Sequence, residues 1–297
     1  MQSIFARCAA IVALVWLPGL ALAQYGTPQS LKDEVVAGES LSFASEPKEL
    51  GGTTGMANGL FAHPLKAGEK LPAIVMLHTC GGLSLHIRDW AQEATRAGYV
   101  VLTPDSMRGM TNDCGSPPKT ANGRLVKDAL DGVAHLAALP FVDANRISVM
   151  GFSRGAFMAT WVASKAVADA VRPGTPAVAA SVAMYGLCGL ESTRGRPQGA
   201  VVLQPDTSRP LLMLLGGQDT ETPPNMCLDM LPKLKDAGAP VQWHLYPEAT
   251  HCWDCSENNG FTKTAFNGQR VTYQFNKAVT DDSRKRVFDF LATAGRR

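Results

Sequence analysis

The chain has 297 residues, of which 45% are hydrophobic and 18% charged, and its 28 basic residues nearly balance its 26 acidic ones. This composition excludes a disordered or strongly acidic protein, because such chains bury too little apolar surface to fold. The near-neutral charge gives no basis for a nucleic-acid or membrane-surface partner. The length suits one large α/β domain or two smaller domains.

The first 23 residues predict a cleaved secretory signal. Arg7 is followed by an uncharged apolar run over 8–17 and then by the small-residue site Ala21-Leu22-Ala23. The run is shorter than the roughly 20 residues that a membrane helix needs, which favours cleavage over a permanent anchor. We therefore expect a periplasmic or secreted protein that begins at Gln24 and, after cleavage, does not contact the membrane.

The following segments predict one or two edge strands and then a parallel sheet. Residues 24–65 are rich in Gly, Ser and Thr, with short apolar pieces typical of antiparallel edge strands. From Pro72 onward, short and almost wholly apolar runs alternate with segments of helical spacing, as in sheets whose strands are buried on both faces. The predicted buried strands are 73–78, 99–103, 146–150, 179–185, 211–215 and 241–246.

Three apolar stripes with intervals of three or four residues predict helices. They lie at 87–97 before Gly98, at 125–136 before Pro140, and at 287–294 between Asp282 and Gly295. Because strands and helices alternate, we expect one α/β domain over 24–297, with a mostly parallel sheet and helices on both faces. In such sheets the chemistry belongs in the loops at the carboxyl ends of the strands.

A candidate nucleophile follows the third buried strand. Gly151-Phe152-Ser153-Arg154-Gly155 lies between this strand and the helix-compatible segment 156–161. In this context the G-x-S-x-G pattern is typical of a sharp turn that holds a serine in a strained backbone conformation. The two glycines have no side chain, so strand and helix can approach each other. We therefore predict that Ser153 is the nucleophile.

A serine hydroxyl needs a neighbouring base, and a carboxylate must orient that base. The histidines available are His63, His78, His86, His135, His244 and His251. His135 lies in a predicted helix and His244 inside a predicted strand, so both are expected to be structural. His251 comes just after the last predicted strand, where this type of fold places its base, and is the predicted catalytic histidine.

The acid is expected between nucleophile and base in the chain. Asp219 fits best, because it lies in the loop that follows the fifth buried strand. Glu221 and Asp206 are rival acids, and Asp219 has the alternative role of capping the next helix. As the acid, Asp219 would accept a hydrogen bond from His251, fix its tautomer and stabilise the imidazolium.

The carbonyl oxygen under attack needs backbone N–H donors. One predicted donor is the N–H of Arg154, directly after the nucleophile, and the other is the N–H of Cys80, in the loop after the first buried strand. The side chain of Arg154 has two open interpretations. It meets a carboxylate of the substrate, or it is exposed or paired for structural reasons.

Four motifs in this order resemble the dienelactone hydrolase family of α/β-hydrolases, in its exported serine branch. The resemblance spans about 41–294, and it implies an α/β-hydrolase fold with an eight-stranded core and hydrolysis of an ester or related acyl bond. The motifs are His78-Thr79-Cys80-Gly81-Gly82, the Gly151 to Gly155 turn, Gly217 to Pro224, and Tyr246-Pro247 with Thr250-His251.

Two residues depart from the pattern of that family. Its namesake enzymes have a cysteine nucleophile where this chain has Ser153, so dienelactone itself is not the expected substrate. Related chains commonly have glycine where this chain has Thr79. A β-branched residue permits fewer backbone conformations beside the predicted oxyanion donor.

Six cysteines remain after the predicted cleavage, and an even number in an exported chain predicts disulfides. Because most of them follow neighbouring strands, we expect pairs at the catalytic rim. One pair would pin the oxyanion loop, one would brace the loop of the acid, and one would close a tight ring directly after the base. The predicted pairs are Cys80–Cys114, Cys188–Cys227 and Cys252–Cys255.

The third pair also has the spacing of a thiol redox motif or, with His251, of three metal ligands. A redox motif is expected to open a helix, whereas 256–260 has the composition of a loop. A structural zinc site needs a fourth ligand, for which the sequence offers no candidate. The sequence therefore favours a disulfide, and we expect no metal and no cofactor.

The predicted function is a serine hydrolase that forms an acyl-enzyme on a small-molecule or polymer-attached ester. A peptidase or polyester hydrolase would use the same triad, and an exported binding protein would keep the fold without catalysis. Residues 185–210 contain no long insertion, so no large lid domain is expected. The segment 256–280 is polar, contains four aromatic residues and is long for a loop, which makes it a candidate to shape the entrance of the site.

Overall fold

The computed structural model describes residues 68–107, 113–114, 120–190 and 200–294. The predicted signal, 1–23, and the predicted edge-strand segment, 24–65, lie outside these residues, as do His63 and Gly295. All six predicted buried strands lie within them.

Each of the six predicted buried strands is present, and together they form the central sheet. They are β1 (Leu71–Leu77), β2 (Val100–Leu102), β3 (Val142–Phe152), β4 (Ser181–Met184), β7 (Leu211–Gly216) and β8 (Val241–Tyr246). Their order across the sheet is β2-β1-β3-β4-β7-β8, and every neighbouring pair is parallel. The mostly parallel sheet is confirmed, with six strands in the described part of the chain and not the eight implied by the resemblance.

The helices of the described residues cover both faces of this sheet, as predicted. They are α1 (Leu85–Arg96), α2 (Asn122–Ala137), α3 (Arg154–Val162), α4 (Lys165–Val171), α5 (Asn225–Asp236) and α6 (Lys277–Ala294), with a 3₁₀ turn at Ser256–Asn258. Gly98 has φ +89° and ends α1 as predicted, because glycine adopts this left-handed conformation without steric cost. None of these described helices has both the length and the apolar character required to cross a bilayer.

The core explains why the strands read as unbroken apolar runs. Successive side chains of a strand point to opposite faces. On β1, Ile74 and Met76 pack into the core under α1 and α6, whereas Val75 packs into the core under α2 and α3. Full burial of one such side chain is worth roughly 2 kcal/mol. Strand β8 is the exception among the runs, because it lies at the sheet edge and its middle residues are partly exposed.

The segment 256–280 is not a loop, which corrects the sequence-based interpretation. It contains the 3₁₀ turn and an antiparallel hairpin of β9 (Thr262–Thr264) and β10 (Arg270–Thr272), and α6 already begins at Lys277. The strands are short and polar, so they lack the apolar alternation that predicts a strand. Asn267-Gly268, with Gly268 at φ +81°, was the available signal, because Asn-Gly favours hairpin turns.

The stretch between β4 and β7 contains a second small element. Strands β5 (Gly189–Leu190) and β6 (Ala200–Val201) pair antiparallel. Residues 191–199, between these strands, lie outside the described part of the chain. The expectation of no large lid domain therefore stays a prediction for this stretch.

Candidate active site

Ser153 lies on a sharp turn between β3 and α3. Its backbone has φ 52° and ψ −113°, a conformation that a non-glycine residue rarely adopts. A Cβ added to Gly151 would lie 2.0 Å from the carbonyl oxygen of Gly155, and one added to Gly155 would lie 2.4 Å from that of Leu77. Both glycines are therefore required for the close approach of strand, turn and helix that the sequence pattern predicts.

The structure brings Ser153, His251 and Asp219 together at the carboxyl end of the sheet. The Ser153 hydroxyl lies 2.9 Å from Nε2 of His251, and Nδ1 of the same ring lies 2.7 Å from Oδ2 of Asp219. All three side chains are buried. With Nδ1 donating to the carboxylate, Nε2 is left to accept the proton of the serine.

The environment of His251 favours its protonated form. Burial lowers the pKa of the imidazole, but the carboxylates of Asp219 and Glu221 outweigh this effect and raise the pKa above its usual value. The ammonium of Lys263 acts in the opposite direction. The raised pKa of His251 therefore favours its uptake of the proton that a serine nucleophile would release.

The two rival acids occupy other positions. Glu221 Oε2 lies 3.8 Å from Nε2 of His251, on the side of the ring that faces Ser153, and Glu221 also binds Lys263 and the hydroxyl of Tyr273. Asp206 accepts hydrogen bonds from Ser164 and from the backbone of Ala166 at the start of α4. Asp219 alone of the three candidates faces Nδ1.

Asp219 does not cap the next helix. Its Oδ1 accepts hydrogen bonds from the backbone N–H groups of Glu221 and Thr222, at 2.9 and 2.8 Å, so the carboxylate organises its own loop. The Thr222 hydroxyl lies 2.7 Å from Oδ2 of Asp219 and 3.1 Å from Nδ1 of His251. Sequence reasoning missed Thr222, although a hydroxyl three residues after a loop aspartate is a signal for such local hydrogen bonds.

Tyr185 is a second residue that sequence reasoning missed. Its ring packs edge-on against His251, with 4.9 Å between the centroids, and its carbonyl oxygen accepts a hydrogen bond from Thr222. Its backbone has φ 41°, which is rare for a bulky residue. No local pattern in the sequence signals this conformation.

The loop after β1 lies directly against the nucleophile turn, as expected for an oxyanion loop. Carbonyl oxygens of Leu77 and His78 would both come within 2.7 Å of a Cβ at Gly155. Among the described residues, the N–H of Cys80 makes no hydrogen bond to a backbone carbonyl. The role of this N–H as an oxyanion donor stays a prediction.

Thr79 fits this loop because its backbone is not left-handed. The positive φ of the turn falls on Gly82, at +81°, while the Thr79 carbonyl accepts the N–H of Gly82 and its hydroxyl accepts the N–H of Gly81. His78 supports the same turn. Burial lowers the pKa of its imidazole, which donates from Nδ1 to the Thr79 carbonyl and accepts at Nε2 from the N–H of Ser106.

The side chain of Arg154 serves a structural contact, which decides between its two interpretations. The guanidinium forms a buried ion pair with Asp113 at 2.6 Å and also contacts Thr120 and Asn122. Asp113 in turn donates its N–H to the carbonyl of Cys80 at 2.7 Å. The Arg154 side chain thereby connects the nucleophile turn to the oxyanion loop. The backbone N–H of Arg154 lies at the start of α3, where a helix has no internal acceptor for it, as the predicted oxyanion donor requires.

All three predicted cysteine pairs form disulfides, and each lies beside one component of the site. The first is at the oxyanion loop, the second joins the residue before β5 to the first turn of α5 beyond the acid loop, and the third follows the base directly. The bonds are Cys80–Cys114, Cys188–Cys227 and Cys252–Cys255.

The hairpin of β9 and β10 forms one wall of the site. Its Lys263 pairs with Glu221 at 2.8 Å, and the ring of Tyr273, just after β10, lies 5.5 Å from that of His251. In the connecting turn, Asn267 donates to the carbonyl of Thr220 at 2.8 Å. The segment 256–280 therefore contributes directly to the surroundings of the base.

Comparisons with known proteins agree with this architecture. The sequence model of the dienelactone hydrolase family matches residues 57–295. A protein of Salmonella typhimurium described as "Putative carboxymethylenebutenolidase" is 28% identical over 210 residues, which cover 68% of this chain and 74% of that protein.

Two solved structures share the fold. A "Putative Dienelactone Hydrolase" of Klebsiella pneumoniae superposes with a TM-score of 0.54 at 21% identity, covering 77% of this chain and 90% of that one. Esterase 2 of Thermogutta terrifontis, in a form phosphoramylated by tabun, gives a TM-score of 0.56 at 16% identity, covering 78% of this chain and 86% of that one. The likeness to both shows an α/β-hydrolase fold.

Proposed function

Because the chain belongs to the dienelactone hydrolase family, we propose that it is an exported serine hydrolase that cleaves carboxylic esters or related acyl bonds. The observation that carries this proposal is the chain of hydrogen bonds from Ser153 through His251 to Asp219, with distances of 2.9 and 2.7 Å. Serine hydrolases on unrelated folds use the same geometry.

In the first half of the proposed reaction, Oγ of Ser153 attacks the acyl carbon of the substrate while Nε2 of His251 takes the hydroxyl proton. The carbonyl π electrons move to the oxygen, and the N–H groups of Cys80 and Arg154 would stabilise the resulting charge. As the tetrahedral intermediate collapses, the bond to the leaving alkoxide breaks. His251 returns the proton to the leaving oxygen, which departs as an alcohol.

In the second half, water attacks the acyl-enzyme and His251 again takes a proton. The tetrahedral intermediate collapses, the bond to Oγ breaks, and His251 returns the proton to Ser153. Asp219 stabilises the imidazolium in both halves and keeps the proton on Nδ1 when the ring is neutral. The acid is released as a carboxylate.

Three observations support the finer parts of the proposal. A carboxylate facing Nδ1 suits a serine, which needs a stronger base than a cysteine thiol does. The three disulfides suit an oxidising compartment outside the cytoplasm, in line with the predicted signal. The name of the Salmonella typhimurium relative, a carboxymethylenebutenolidase, points to cyclic esters as substrates to include in a test.

Active-site labelling tests the proposal directly. A fluorophosphonate probe should attach to Oγ of Ser153 with loss of fluoride. The variant Ser153→Ala should lose labelling and lower kcat/KM for an ester by at least about 10⁴-fold. Ser208→Ala, at an exposed serine far along the chain, is the matched control and should keep both properties.

A substrate panel completes the test. Short-chain esters, lactones, feruloyl esters, acetylated sugars, polyester and peptides should be compared in parallel, with esters turned over fastest. Faster turnover of peptides would replace the ester proposal by a peptidase. Folded wild-type protein that neither labels nor turns over any member of the panel would contradict catalysis by Ser153 and favour a binding protein.

A further inference from the structure

A second buried cluster of reactive side chains lies beside the triad and takes no part in it. It consists of His86 on α1 and the disulfide partners Cys252 and Cys255. Their side chains are 2%, 4% and 0% exposed. One ring nitrogen of His86 and the two sulfur atoms all lie within 4.8 Å of one another.

One nitrogen of the His86 ring has no hydrogen-bond partner among the described residues. Its Nδ1 lies 3.0 Å from Oε1 of Glu257 and 2.9 Å from the hydroxyl of Ser84. Because the carboxylate accepts from Nδ1, the ring is held in the tautomer whose Nε2 carries a free lone pair. That Nε2 atom is buried and has no hydrogen-bond partner among the described residues. An unpaired buried acceptor of this kind costs free energy unless a ligand or proton occupies it.

We propose that, when the disulfide between them is reduced, Cys252 and Cys255 bind one soft divalent cation such as Zn²⁺ together with Nε2 of His86. The reductant is a phosphine or a dithiol: a phosphine and one water give two thiols and the phosphine oxide. The cation then replaces the two thiol protons, which pass to solvent, and accepts the Nε2 lone pair. In tetrahedral coordination with Zn–S bonds of about 2.3 Å, the sulfur atoms would lie roughly 3.8 Å apart, so the two side chains must separate once the disulfide bond is reduced.

Glu257 supplies the carboxylate that commonly supports a histidine ligand in metal sites of proteins. A metal-binding histidine usually donates its second N–H to a carboxylate, which fixes the ring and raises its basicity. Glu257 already makes this contact with His86, and it comes two residues after Cys255. The carboxylate Oδ1 of Asp254 and the hydroxyl of Tyr185, 3.6 and 4.0 Å from the sulfur of Cys255, are protein oxygens that could compete with water for a fourth position.

Because the two sulfur atoms are buried, the reduced cysteines are better suited to bind an ion than to exchange disulfides with another protein. A thiol that exchanges disulfides with another protein must be accessible and usually opens a helix. Cys255 is fully buried and precedes only a 3₁₀ turn, Ser256–Asn258. A small ion can reach a site that another polypeptide cannot.

The proposal departs from the expectation of no metal, and the reason is a single residue. The sequence grouped the two cysteines with the adjacent His251. The structure places both nitrogens of His251 in the triad and brings in His86, more than 160 positions earlier. This contact could not be inferred from local spacing.

Cobalt titration of the full chain tests the proposal. Protein reduced with a phosphine under anaerobic conditions should bind about one Co²⁺, with thiolate-to-cobalt charge transfer and the intense visible bands of tetrahedral coordination, and Zn²⁺ should displace it. The double variant Cys252→Ser with Cys255→Ser keeps the cysteines of the other two disulfides and should lose this signal. Oxidised wild-type protein should also give none.

Two histidine variants then separate a metal site from a plain dithiol. His86→Gln should weaken Co²⁺ binding by more than Glu257→Gln, for which the expected loss is about 10- to 100-fold. His135→Gln, on the opposite face of the sheet, is the matched control and should bind as wild type. Thermal unfolding of each oxidised variant establishes that it is folded.

The proposal is overturned if reduced wild-type protein binds no more Co²⁺ than the double cysteine variant. It is also overturned if folded His86→Gln binds Co²⁺ as tightly as the wild type, which would indicate a dithiol only. Hydrolysis is not measured in this experiment, so its outcome is independent of the proposed function.

Discussion

The nucleophile and the base of the site are held by different kinds of contact. Ser153 is positioned by backbone packing, because Gly151 and Gly155 leave no space for even a methyl group. Gly216 and Gly217 also bring the acid and base loops close, but the orientation of the His251 ring depends on side-chain hydrogen bonds and charges. We therefore expect the nucleophile to be sensitive to volume and the base to be sensitive to charge.

Among substitutions around the base, the largest expected effect comes from Asp219→Asn. The amide would donate to Nδ1 of His251 and place the ring proton on Nε2, where it can no longer accept from Ser153. We expect kcat/KM for an ester to fall about 10⁴-fold, as for other triads with this change. The fold should persist, because Oδ1 still accepts the N–H groups of Glu221 and Thr222.

Glu221→Gln provides the contrast for that measurement, since Glu221 contacts the other nitrogen of the ring at 3.8 Å. It should cost far less activity than Asp219→Asn at neutral pH. An equal or greater loss would make Glu221 the acid and reverse the assignment. Circular dichroism and thermal unfolding should show both variants folded.

Gly155→Ala tests the steric half of the comparison. Its Cβ would meet the carbonyl oxygen of Leu77 at 2.4 Å, and neither backbone segment can yield without displacing the turn or the oxyanion loop. We expect the free energy of unfolding to fall by about 3 kcal/mol, with a loss of fluorophosphonate labelling. Urea unfolding and the labelled fraction of folded protein are the measurements.

Gly174→Ala is the matched control for Gly155→Ala. Gly174 has φ +76° and open space around it, so alanine there costs only the left-handed backbone, about 1 kcal/mol. Labelling of Ser153 should be unaffected. If Gly155→Ala were no less stable than Gly174→Ala and labelled equally well, the nucleophile would not depend on tight packing.

Features encoded in short stretches of the chain were predictable from the sequence. The six buried strands are apolar runs, and the turn at Ser153 has its two glycines at fixed spacing, so both follow from local pattern and steric requirement. The parallel sheet then places His251 and Asp219 at the same edge as Ser153. The cysteine pairs were predictable too, because two pairs join the loops after neighbouring strands and the third pair is three residues apart in the sequence.

Features that depend on contacts between distant segments could not be predicted. The partner of Arg154 is Asp113, 41 positions away, and the ring beside Cys252 and Cys255 is that of His86. In neither case does the sequence near one residue carry information about the other. The same holds for the hairpin, whose polar strands are held by contacts with the acid loop.

The smallest effect, a shift in pH dependence, tests the charge-sensitive half of the comparison. The neutral imidazole of His251 is the base, so kcat/KM must fall as the pH drops through its pKa. That pKa is raised by Asp219 and Glu221 against the effect of burial, and lowered by Lys263. Glu221→Gln should therefore move the acidic limb of the kcat/KM profile to lower pH, and Lys263→Met should move it to higher pH.

Opposite shifts are what separate an electrostatic effect from a general loosening of the hairpin wall. Both substitutions disturb the same ion pair at 2.8 Å, so a purely structural effect would move the two profiles in the same direction. The double variant should lie between the single ones, because it removes both charges. Lys277→Met, whose ion pair with Asp281 is exposed at the start of α6, should leave the profile unchanged. Shifts of equal sign for Glu221→Gln and Lys263→Met would mean that packing, and not charge, controls the base.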